Sequence, residues 1–216
     1  MAQIFRPSSN TVAPGVLVAL ALTPLVLGGV VWLLVWSPYS TAVGVPMNQA
    51  VPFSHQHHVG GLGIDCRYCH TGVETAAFAG VPTTRTCMTC HSQLWTEAPL
   101  LKPVRESLIA NEPMRWKRVH ALPDYVYFDH SIHVAKGISC VSCHGRVDRM
   151  PLVAKQETLY MRWCLDCHRH PERKLRAPGE VFDMASRDPS PEVGRQRLKA
   201  YQIQPARLLD CSLCHR

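Results

Sequence analysis

The sequence predicts a mainly α-helical protein with much irregular loop and little β structure, in which one N-terminal membrane-spanning helix precedes a second domain. Three observations lead to this prediction. Residues 12–36 form a nearly continuous apolar run of 25 residues. Elsewhere, many of the 17 prolines and 13 glycines interrupt any long regular element. A five-residue motif of cysteine and histidine recurs five times and uses all ten cysteines.

The recurring motif is Cys-x-x-Cys-His, the attachment signature of c-type haem. Its two thiols lie on one side of a short helical turn and can both bond the porphyrin edge, while the next residue turns its imidazole toward the iron. The thiols belong to Cys66, Cys69, Cys87, Cys90, Cys140, Cys143, Cys164, Cys167, Cys211 and Cys214. The motif histidines are His70, His91, His144, His168 and His215. We therefore predict five covalently bound haem c groups in a multihaem c-type cytochrome domain.

Other functions of cysteine pairs fit this sequence less well. One isolated copy could be half of a zinc site or a thioredoxin-like dithiol, but all five copies are followed by histidine. A disulfide framework is excluded by counting, because the motifs leave no thiol for a bridge. About 170 residues remain for five haems, which is too little chain for an independent peptide core of ordinary size. We expect the porphyrins to supply the apolar interior.

The formal net charge of +7 does not indicate a nucleic-acid partner. Each haem carries two propionates, so five haems would bring the holoprotein close to neutral or make it acidic. Arginine and lysine are then expected as propionate partners and as solvated surface.

The apolar run is long enough to span a bilayer with some tilt. No Asp, Glu, Lys or Arg occurs within residues 7–64, and Trp32 and Trp36 mark the far interface. We predict a tail over 1–11, an anchor helix over 12–36, a linker over 37–50 and the pentahaem domain over 51–216. A cleaved secretory signal is the alternative, since small residues follow at 40–44, but such signals have apolar regions of only about 7 to 15 residues.

The orientation follows from two further arguments. Arg6 and the amino terminus are the positive charges that precede the helix, which favours an N-terminus in the cytoplasm. Haem c is attached on the outer face of energy-transducing membranes. We expect a single-pass protein of the inner membrane with its haem domain on the periplasmic side.

Seven histidines lie outside the motifs, and four of them occur in a repeated context. Phe53-x-His55-x-x-His58 precedes the first motif, and Phe128-x-His130-x-x-His133 precedes the third. In both cases six or seven residues lead to the motif, and 16 or 19 more lead to the next one. This is an internal duplication. It defines two dihaem modules, residues 51–92 and 126–170, with the fifth haem site appended at 211–215.

The histidines of each repeat can serve two irons. Residues at i and i+3 leave one face of a helical turn at divergent angles. The spacing resembles that of the cytochrome c3 and c7 families, in which the first histidine serves the nearest haem and the second serves a neighbour. The resemblance implies the pairs His55 with His70, His58 with a neighbour such as His91, His130 with His144, and His133 with a neighbour such as His168.

One iron is left without a partner from the repeats. His120 is our first choice for it, and His170, His57, Met150 and Met161 are the alternatives. A thioether ligand such as Met150 would raise the reduction potential of that haem relative to imidazole.

Two protein ligands on most irons leave no open position for a substrate, so the sequence predicts outer-sphere electron transfer. Catalysis has no separate support, because the chain has neither a glycine-rich phosphate loop nor a nucleophile paired with a base. We predict an electron-transfer subunit and not an enzyme in its own right.

Three connecting strings add a more specific resemblance. They read Val-His-Ala-Leu-Pro-Asp-Tyr-Val-Tyr-Phe-Asp-His over 119–130, His-Gly-Arg-Val-Asp-Arg-Met over 144–150, and Met-Arg-Trp-Cys-Leu-Asp-Cys-His-Arg over 161–169. With one apolar helix and five motifs, essentially the whole chain resembles the ActA family, the pentahaem cytochrome c subunits of bacterial alternative complex III.

The resemblance implies a place in a quinol-oxidising respiratory or photosynthetic complex that replaces the cytochrome bc1 complex. Its partners there would be an iron–sulfur subunit, quinol-binding integral membrane subunits and a second cytochrome c subunit. Electrons would leave to a soluble cytochrome c, a blue-copper protein or an oxidase. The chain itself would conduct electrons and hold no quinol site.

Two alternatives compete with this interpretation. Quinol dehydrogenases of the NapC/NrfH type also join one helix to several c-type haems, but proteins resembling NrfH carry a Met two residues after the first motif, where this chain has Gly72. A catalytic multihaem reductase needs an open iron and usually a longer chain.

The segment over 169–210 is long and polar, with a helix expected from Ser190-Pro191-Glu192 to about Tyr201. It would lie across another subunit or form a solvated strap.

Overall fold

Helices are the only repeating secondary structure in residues 5–215, which the computed structural model describes. Within that range, extended backbone pairs only as isolated bridges, Val43 with Lys155, Pro46 with Ala154 and Ile138 with Leu175. The prediction of a mainly α-helical chain with little β structure is confirmed. The chain separates into two compact units, one ending at Ala42 and the other beginning at Val43.

The first unit is built on a long apolar helix. Helix α1 spans Ser9–Trp36 and the short helix α2 spans Pro38–Thr41. At 1.5 Å per residue, α1 is about 42 Å long, which exceeds the hydrocarbon thickness of a bilayer. None of its side chains is buried, and by length and composition the span Ser9–Thr41 could cross a membrane. Pro24 lies inside it, one residue after Thr23, whose hydroxyl donates to the carbonyl of Ala19 at 2.7 Å.

The second unit consists of short helices joined by irregular loops. A π-helix spans Gln56–Gly61, and the α-helices are α3 (Cys66–Cys69), α4 (Thr84–His91), α5 (Lys102–Ala110), α6 (His130–Ala135), α7 (Val141–His144), α8 (Met161–Arg169) and α9 (Pro191–Ala200). Single 3-10 turns occur at Pro99–Leu101, Val147–Arg149, Pro171–Arg173, Pro178–Glu180, Pro205–Leu209 and Cys211–Leu213. Four motifs therefore lie on or at the start of an α-helix, and the fifth begins on a 3-10 turn.

The π-helix explains why the two repeats differ by one residue. Seven residues separate His58 from the first motif, but only six separate His133 from the third. The carbonyl of His58 accepts from the amide of Ile64, and that of His133 accepts from Ile138, one residue earlier in its repeat. A π-helical turn holds one more residue than an α-helical turn, so it absorbs the insertion before the cysteines.

The peptide core is small. Seven buried apolar residues were found in the described part of the chain: Val51, Val73, Val104, Ala154, Leu175, Val181 and Met184. Seven buried apolar residues are few for a chain of 216 residues, so the peptide alone supplies little hydrophobic stabilisation.

The polar segment after the fourth motif packs against its own domain. The buried guanidinium of Arg176 donates to the carbonyl of Ser186 at 2.6 Å and to Asp188 at 3.1 Å. The hydroxyl of Tyr201 donates to the carbonyl of Arg176 at 2.8 Å. The predicted helix is confirmed as α9, and its Ser190 cap accepts from the amide of Val193.

Helix α9 lies against the turn Pro171–Arg173. At their contact, Gly194 faces the carbonyl oxygen of Glu172 so closely that a Cβ would overlap it.

Candidate haem centres

Short polar caps place the motifs and their spare histidines. Asp65 accepts from the amide of Arg67 at 2.8 Å, and Asp210 accepts from the amide of Ser212 at 3.0 Å, so both cap a motif turn. Asp129 caps α6, the helix that begins with His130. A hydrogen bond from Arg67 lowers the pKa of Asp65, so this cap is ionised at neutral pH.

Each of four motif histidines faces a histidine from one of the repeats, and the four ring separations are nearly equal. The distances between ring centroids are 6.4 Å for His55 and His70, 6.2 Å for His58 and His91, 6.3 Å for His130 and His144, and 6.2 Å for His133 and His168. Two imidazoles bound on opposite sides of one iron, with bonds of about 2 Å, have centroids roughly 6 Å apart. The spacing in all four pairs fits an iron between the rings.

Backbone carbonyls orient most of these imidazoles through Nδ1. The motif histidines His70, His91, His168 and His215 lie 2.7, 3.1, 2.9 and 3.1 Å from the carbonyls of Gly80, Leu94, Leu208 and Tyr125. Among the facing histidines, His58, His130 and His133 lie 2.9, 2.8 and 2.6 Å from the carbonyls of Ser54, Ala77 and Asp129. A carbonyl only accepts, so Nδ1 carries the proton and Nε2 keeps the lone pair that an iron needs.

One phenylalanine in each repeat holds both of its histidines. Phe53 stacks on His58 at 4.3 Å and meets His55 edge-on at 4.9 Å. Phe128 repeats this arrangement with His133 at 4.5 Å and His130 at 4.8 Å. The two modules therefore share a three-residue clamp, and the sequence signal for it is the Phe of the repeated spacing.

Burial lowers the pKa of three of these imidazoles, those of His55, His133 and His144. It lowers the pKa of His55 to about 4, and it also lowers the pKa of His133. The pKa of His144 falls to about 3, first through burial and then through the neighbouring His120 and His130. A neutral imidazole at pH 7 offers the lone pair required of a metal ligand.

His120 lies against a motif histidine. Its Nδ1 is 3.3 Å from Nδ1 of His144, and the two rings are 4.3 Å apart at 75°. Its buried Nε2 has no hydrogen-bond partner among residues 5–215. Burial, followed by the charge of Lys155, lowers the pKa of His120 to about 4.

The structure does not bring His120 to the fifth motif. The ring beside His215 is that of Tyr125, at 6.0 Å and 25°. The arrangement gives no support to His120 as the ligand of the remaining iron. Among the alternatives, His57 lies beside His58 and His170 lies 3.6 Å from Glu172. The backbone carbonyl of Met150 accepts from the amide of Gln56, and the side chain of Met161 is exposed at the start of α8.

Neighbouring motifs interact through their cysteines. A hydrogen bond between the thiols of Cys66 and Cys140 lowers the pKa of Cys66 to about 7 and raises that of Cys140, so the first motif adjoins the third. The hydroxyls of Tyr68 and Thr89 lie 2.7 Å apart, which joins the first motif to the second.

Electrostatic interactions between cysteines also relate the third motif to the fourth and the fourth to the fifth. Burial, and then the charges of Cys167 and Cys164, raise the pKa of Cys143 to about 12. Burial, and then the charge of Cys214, raise the pKa of Cys164. In space, the motifs therefore follow the order second, first, third, fourth, fifth.

A basic cavity adjoins the third motif. Its volume is about 670 Å³, and its lining includes Ser142 of the motif. The charged side chains around it are those of Arg146, Arg149, Lys174, Arg176, Arg187, Glu157 and Asp188. This excess of positive charge suits the propionates of a haem. Together with the spacing of the four ring pairs, it shows that the residues present fit haem c.

The comparison with known proteins agrees with this geometry. Residues 126–216 match the family described as cytochrome c7 and related cytochrome c. These residues form a cytochrome c7-like multihaem domain. The match begins where the second module begins and extends through the fifth motif. Such domains bind haem c covalently through their Cys-x-x-Cys-His motifs.

A relative extends the similarity beyond that domain. The chain is 28% identical over 181 residues to the menaquinone reductase multihaem cytochrome c subunit of Nitratidesulfovibrio vulgaris (strain Hildenborough). The alignment covers 83% of this chain and 73% of the relative. The chain is thus a multihaem cytochrome c related to a cytochrome subunit of a quinone-linked complex.

Proposed function

We propose that the chain is a membrane-anchored pentahaem cytochrome c that conducts electrons between a quinone site on partner subunits and a carrier outside the cytoplasm. The observation that carries the proposal is the set of four histidine pairs at 6.2–6.4 Å. In each pair a motif histidine would bind one face of an iron, and His55, His58, His130 or His133 would bind the other.

An iron held on both faces by protein nitrogen has no position for a substrate. Haem c, when bound, supplies an iron that gains or loses one electron without exchanging ligands. The backbone carbonyls at Nδ1 and the two phenylalanine clamps hold the imidazoles in place in both oxidation states. This rigidity favours electron transfer over substrate conversion.

The order of the motifs suggests the route. A hydroxyl contact connects the second motif to the first, and a thiol hydrogen bond connects the first to the third. Electrostatic interactions between cysteines relate the third motif to the fourth and the fourth to the fifth. We take this as the order in which the chain conducts electrons, with the second and fifth motifs at its two ends.

The more specific role that we propose is that of the ActA-like subunit of an alternative complex III. The three connecting strings, the apolar helix and the five motifs support it. Each quinol oxidised on a partner subunit would release two electrons and two protons, and this chain would carry the electrons one at a time. An iron–sulfur subunit would precede it, and a soluble cytochrome c, a blue-copper protein or an oxidase would accept the electrons.

The placement in the membrane belongs to the same proposal. Helix α1 would anchor the chain in the inner membrane with the N-terminus in the cytoplasm and the haem domain in the periplasm. The absence of Asp, Glu, Lys and Arg from residues 7–64 supports the anchor.

The relative supports a second candidate with the opposite direction of electron flow. Its name describes a menaquinone reductase. In that case a periplasmic donor would deliver electrons to this chain, and a partner subunit would reduce menaquinone with two electrons and two protons. The same conduit serves both directions, and the relative potentials of donor and quinone decide between them.

The test is purification of the protein from native membranes in mild detergent. We expect five haems by mass and haem stain, retention of residues 12–36, and co-purification of iron–sulfur and integral membrane subunits. The intact complex should reduce cytochrome c with a menaquinol analogue, whereas the isolated chain should not be reduced by it.

Other outcomes would decide against the proposal. Reduction of the isolated chain by quinol would contradict a conduit without a quinone site and favour a dehydrogenase of the NapC/NrfH type. Electron flow only from reduced cytochrome to menaquinone would contradict the quinol-oxidising role and favour the second candidate.

A further inference from the structure

The five motif histidines are not held in the same way. Four of them place Nδ1 within 3.1 Å of a backbone carbonyl. The exception is His144 of the third motif, whose Nδ1 meets Nδ1 of His120 at 3.3 Å. A side chain therefore takes the place that the main chain occupies elsewhere.

Ligation of iron by His144 would decide which ring donates in this contact. If His144 binds iron through Nε2, its Nδ1 carries a proton and donates. Nδ1 of His120 must then accept, so the proton of this neutral ring lies on Nε2. That atom is buried without a hydrogen-bond partner among residues 5–215.

We propose that His120 is a positioning residue for the third haem, which fixes the tautomer and the ring orientation of His144 and strengthens its donation to the iron. The inference rests on the proposed function, in which His144 is an iron ligand. In this role His120 contacts the imidazole that binds iron and does not itself bind iron.

The chemical difference from the other four sites lies in the acceptor. An imidazole nitrogen is a stronger base than an amide oxygen, so it draws the Nδ1 proton of His144 more strongly. The ring of His144 thereby gains anionic character and stabilises the ferric state, which lowers the reduction potential of the third haem. Because the third motif is the middle member of the spatial order, its potential affects all passage between the two ends.

The segment that carries His120 is anchored close by. The side-chain amide of Gln49 donates to the carbonyl of Lys117 at 2.9 Å and accepts from the amide of Lys117 at 2.9 Å. Further along, the amide of Tyr127 donates to the carbonyl of Cys214 at 2.8 Å. These contacts hold residues 117–127 at both ends, so the acceptor has a fixed position.

The experiment compares His120→Leu and His120→Gln in the full chain, purified with its membrane partners. Potentiometric titration followed by visible and EPR spectra is the readout. We expect both variants to keep the haem count and the low-spin signals of the unsubstituted protein and to shift one reduction step to higher potential. The shift should be larger for Leu, which accepts nothing, than for Gln, whose amide oxygen resembles the carbonyls of the other sites.

The control is Gln196→Leu, which alters an exposed position on α9 and should leave every reduction step unchanged. If both His120 variants titrate like the unsubstituted protein, the inference is wrong. Loss of a low-spin signal in His120→Gln would also overturn it, because His120 would then be an axial ligand.

If His120→Leu yields no holoprotein, the presence or absence of the upward shift in His120→Gln decides alone. The haem count of the unsubstituted protein tests the proposed function separately.

Discussion

At the scale of single residues, the four histidine pairs are alike in distance but not in angle. The ring planes of His55 and His70 lie at 1°, those of His130 and His144 at 12°, and those of His133 and His168 at 29°. The rings of His58 and His91 are turned by 65°. Axial imidazoles with nearly perpendicular planes give a low-spin ferric EPR signal with an unusually large maximal g value, so one such signal is expected here.

Replacing His58 with Met tests the assignment of that signal. A thioether in place of imidazole raises the potential of its haem. We expect the large-g signal to disappear and one reduction step to move upward, as measured by EPR-monitored titration. Gln56→Met, at an exposed neighbouring position, should change neither. Persistence of the signal in His58→Met would show that His58 is not a ligand of the second haem.

Sequence reasoning reached these pairs because the repeat carries its own context. Phe-x-His-x-x-His before a haem motif is recognisable without coordinates. Its resemblance to the cytochrome c3 and c7 families implied that His55, His58, His130 and His133 pair with motif histidines, and the structure brings each of them near one. His120 has no such context. Its position depends on the Gln49 contact to Lys117, a separation of 68 residues in the chain, and no local pattern reports it.

At the scale of elements, α9 is held by a close backbone contact. A Cβ on Gly194 would overlap the carbonyl oxygen of Glu172, so Gly194→Ala must push the helix away from the turn Pro171–Arg173. We expect a loss of about 1–3 kcal/mol in the free energy of unfolding. Thermal unfolding of the detergent-solubilised protein measures it. Gly179→Ala is the control, because nothing lies within 4 Å of its Cβ, and equal stability of the two variants would contradict the contact.

An ion-pair cluster holds the preceding segment. Asp188 accepts from Lys174 at 2.5 Å and from the buried Arg176 at 3.1 Å. Burial works to raise the pKa of Asp188, but its hydrogen bonds to Lys174 and Arg176 outweigh this and bring the pKa below its usual value. The stabilisation is therefore complete above the unfolded pKa of about 3.9 and is lost as the pH falls through the lower folded value.

Asp188→Asn tests this cluster. Because the carboxylate is 42% exposed, we expect a loss of only about 1 kcal/mol at pH 7, shrinking toward zero as the pH falls through the lowered pKa of Asp188. Unfolding measured across this pH range gives the result. The control, Glu106→Gln, breaks a pair with Lys102 whose side chains are 61% and 70% exposed, and should cost less than about 0.5 kcal/mol. A loss independent of pH would rule out the ionic mechanism.

Elements that depend on residues adjacent in sequence were predictable, and those that depend on residues distant in sequence were not. The apolar run gave α1, and the Ser-Pro-Glu start gave α9, because both depend on residues adjacent in sequence. The π-helix depends on a one-residue surplus that becomes visible only when two repeats are compared in space.

At the scale of the whole molecule, the order of the motifs is a testable property. Removing the third haem with Cys140→Ser and Cys143→Ser should separate the first and second motifs from the fourth and fifth. Removing the fifth with Cys211→Ser and Cys214→Ser should leave the other four in mutual redox contact. Flash reduction with less than one electron per protein, followed by the rate of internal equilibration, distinguishes these cases.

The two variants also serve as controls for each other, since each lacks one haem. Rapid equilibration among all four remaining haems in the variant without the third would contradict the proposed order. The order itself lay beyond sequence analysis, because the contact of Cys66 with Cys140 joins residues far apart in the chain, with the second motif between them.

The π-helix makes the first of the two duplicated modules structurally different from the second. The turn lies against Val147–Arg149, and Gly60 faces the carbonyl of Asp148 there with no room for a side chain. Two identical copies of a module would compete for the same neighbours, and the assembled chain could form in more than one arrangement. One inserted residue gives the first copy a surface that the second copy lacks. The two modules are thereby distinguishable by their packing, although their histidines and phenylalanines are arranged alike.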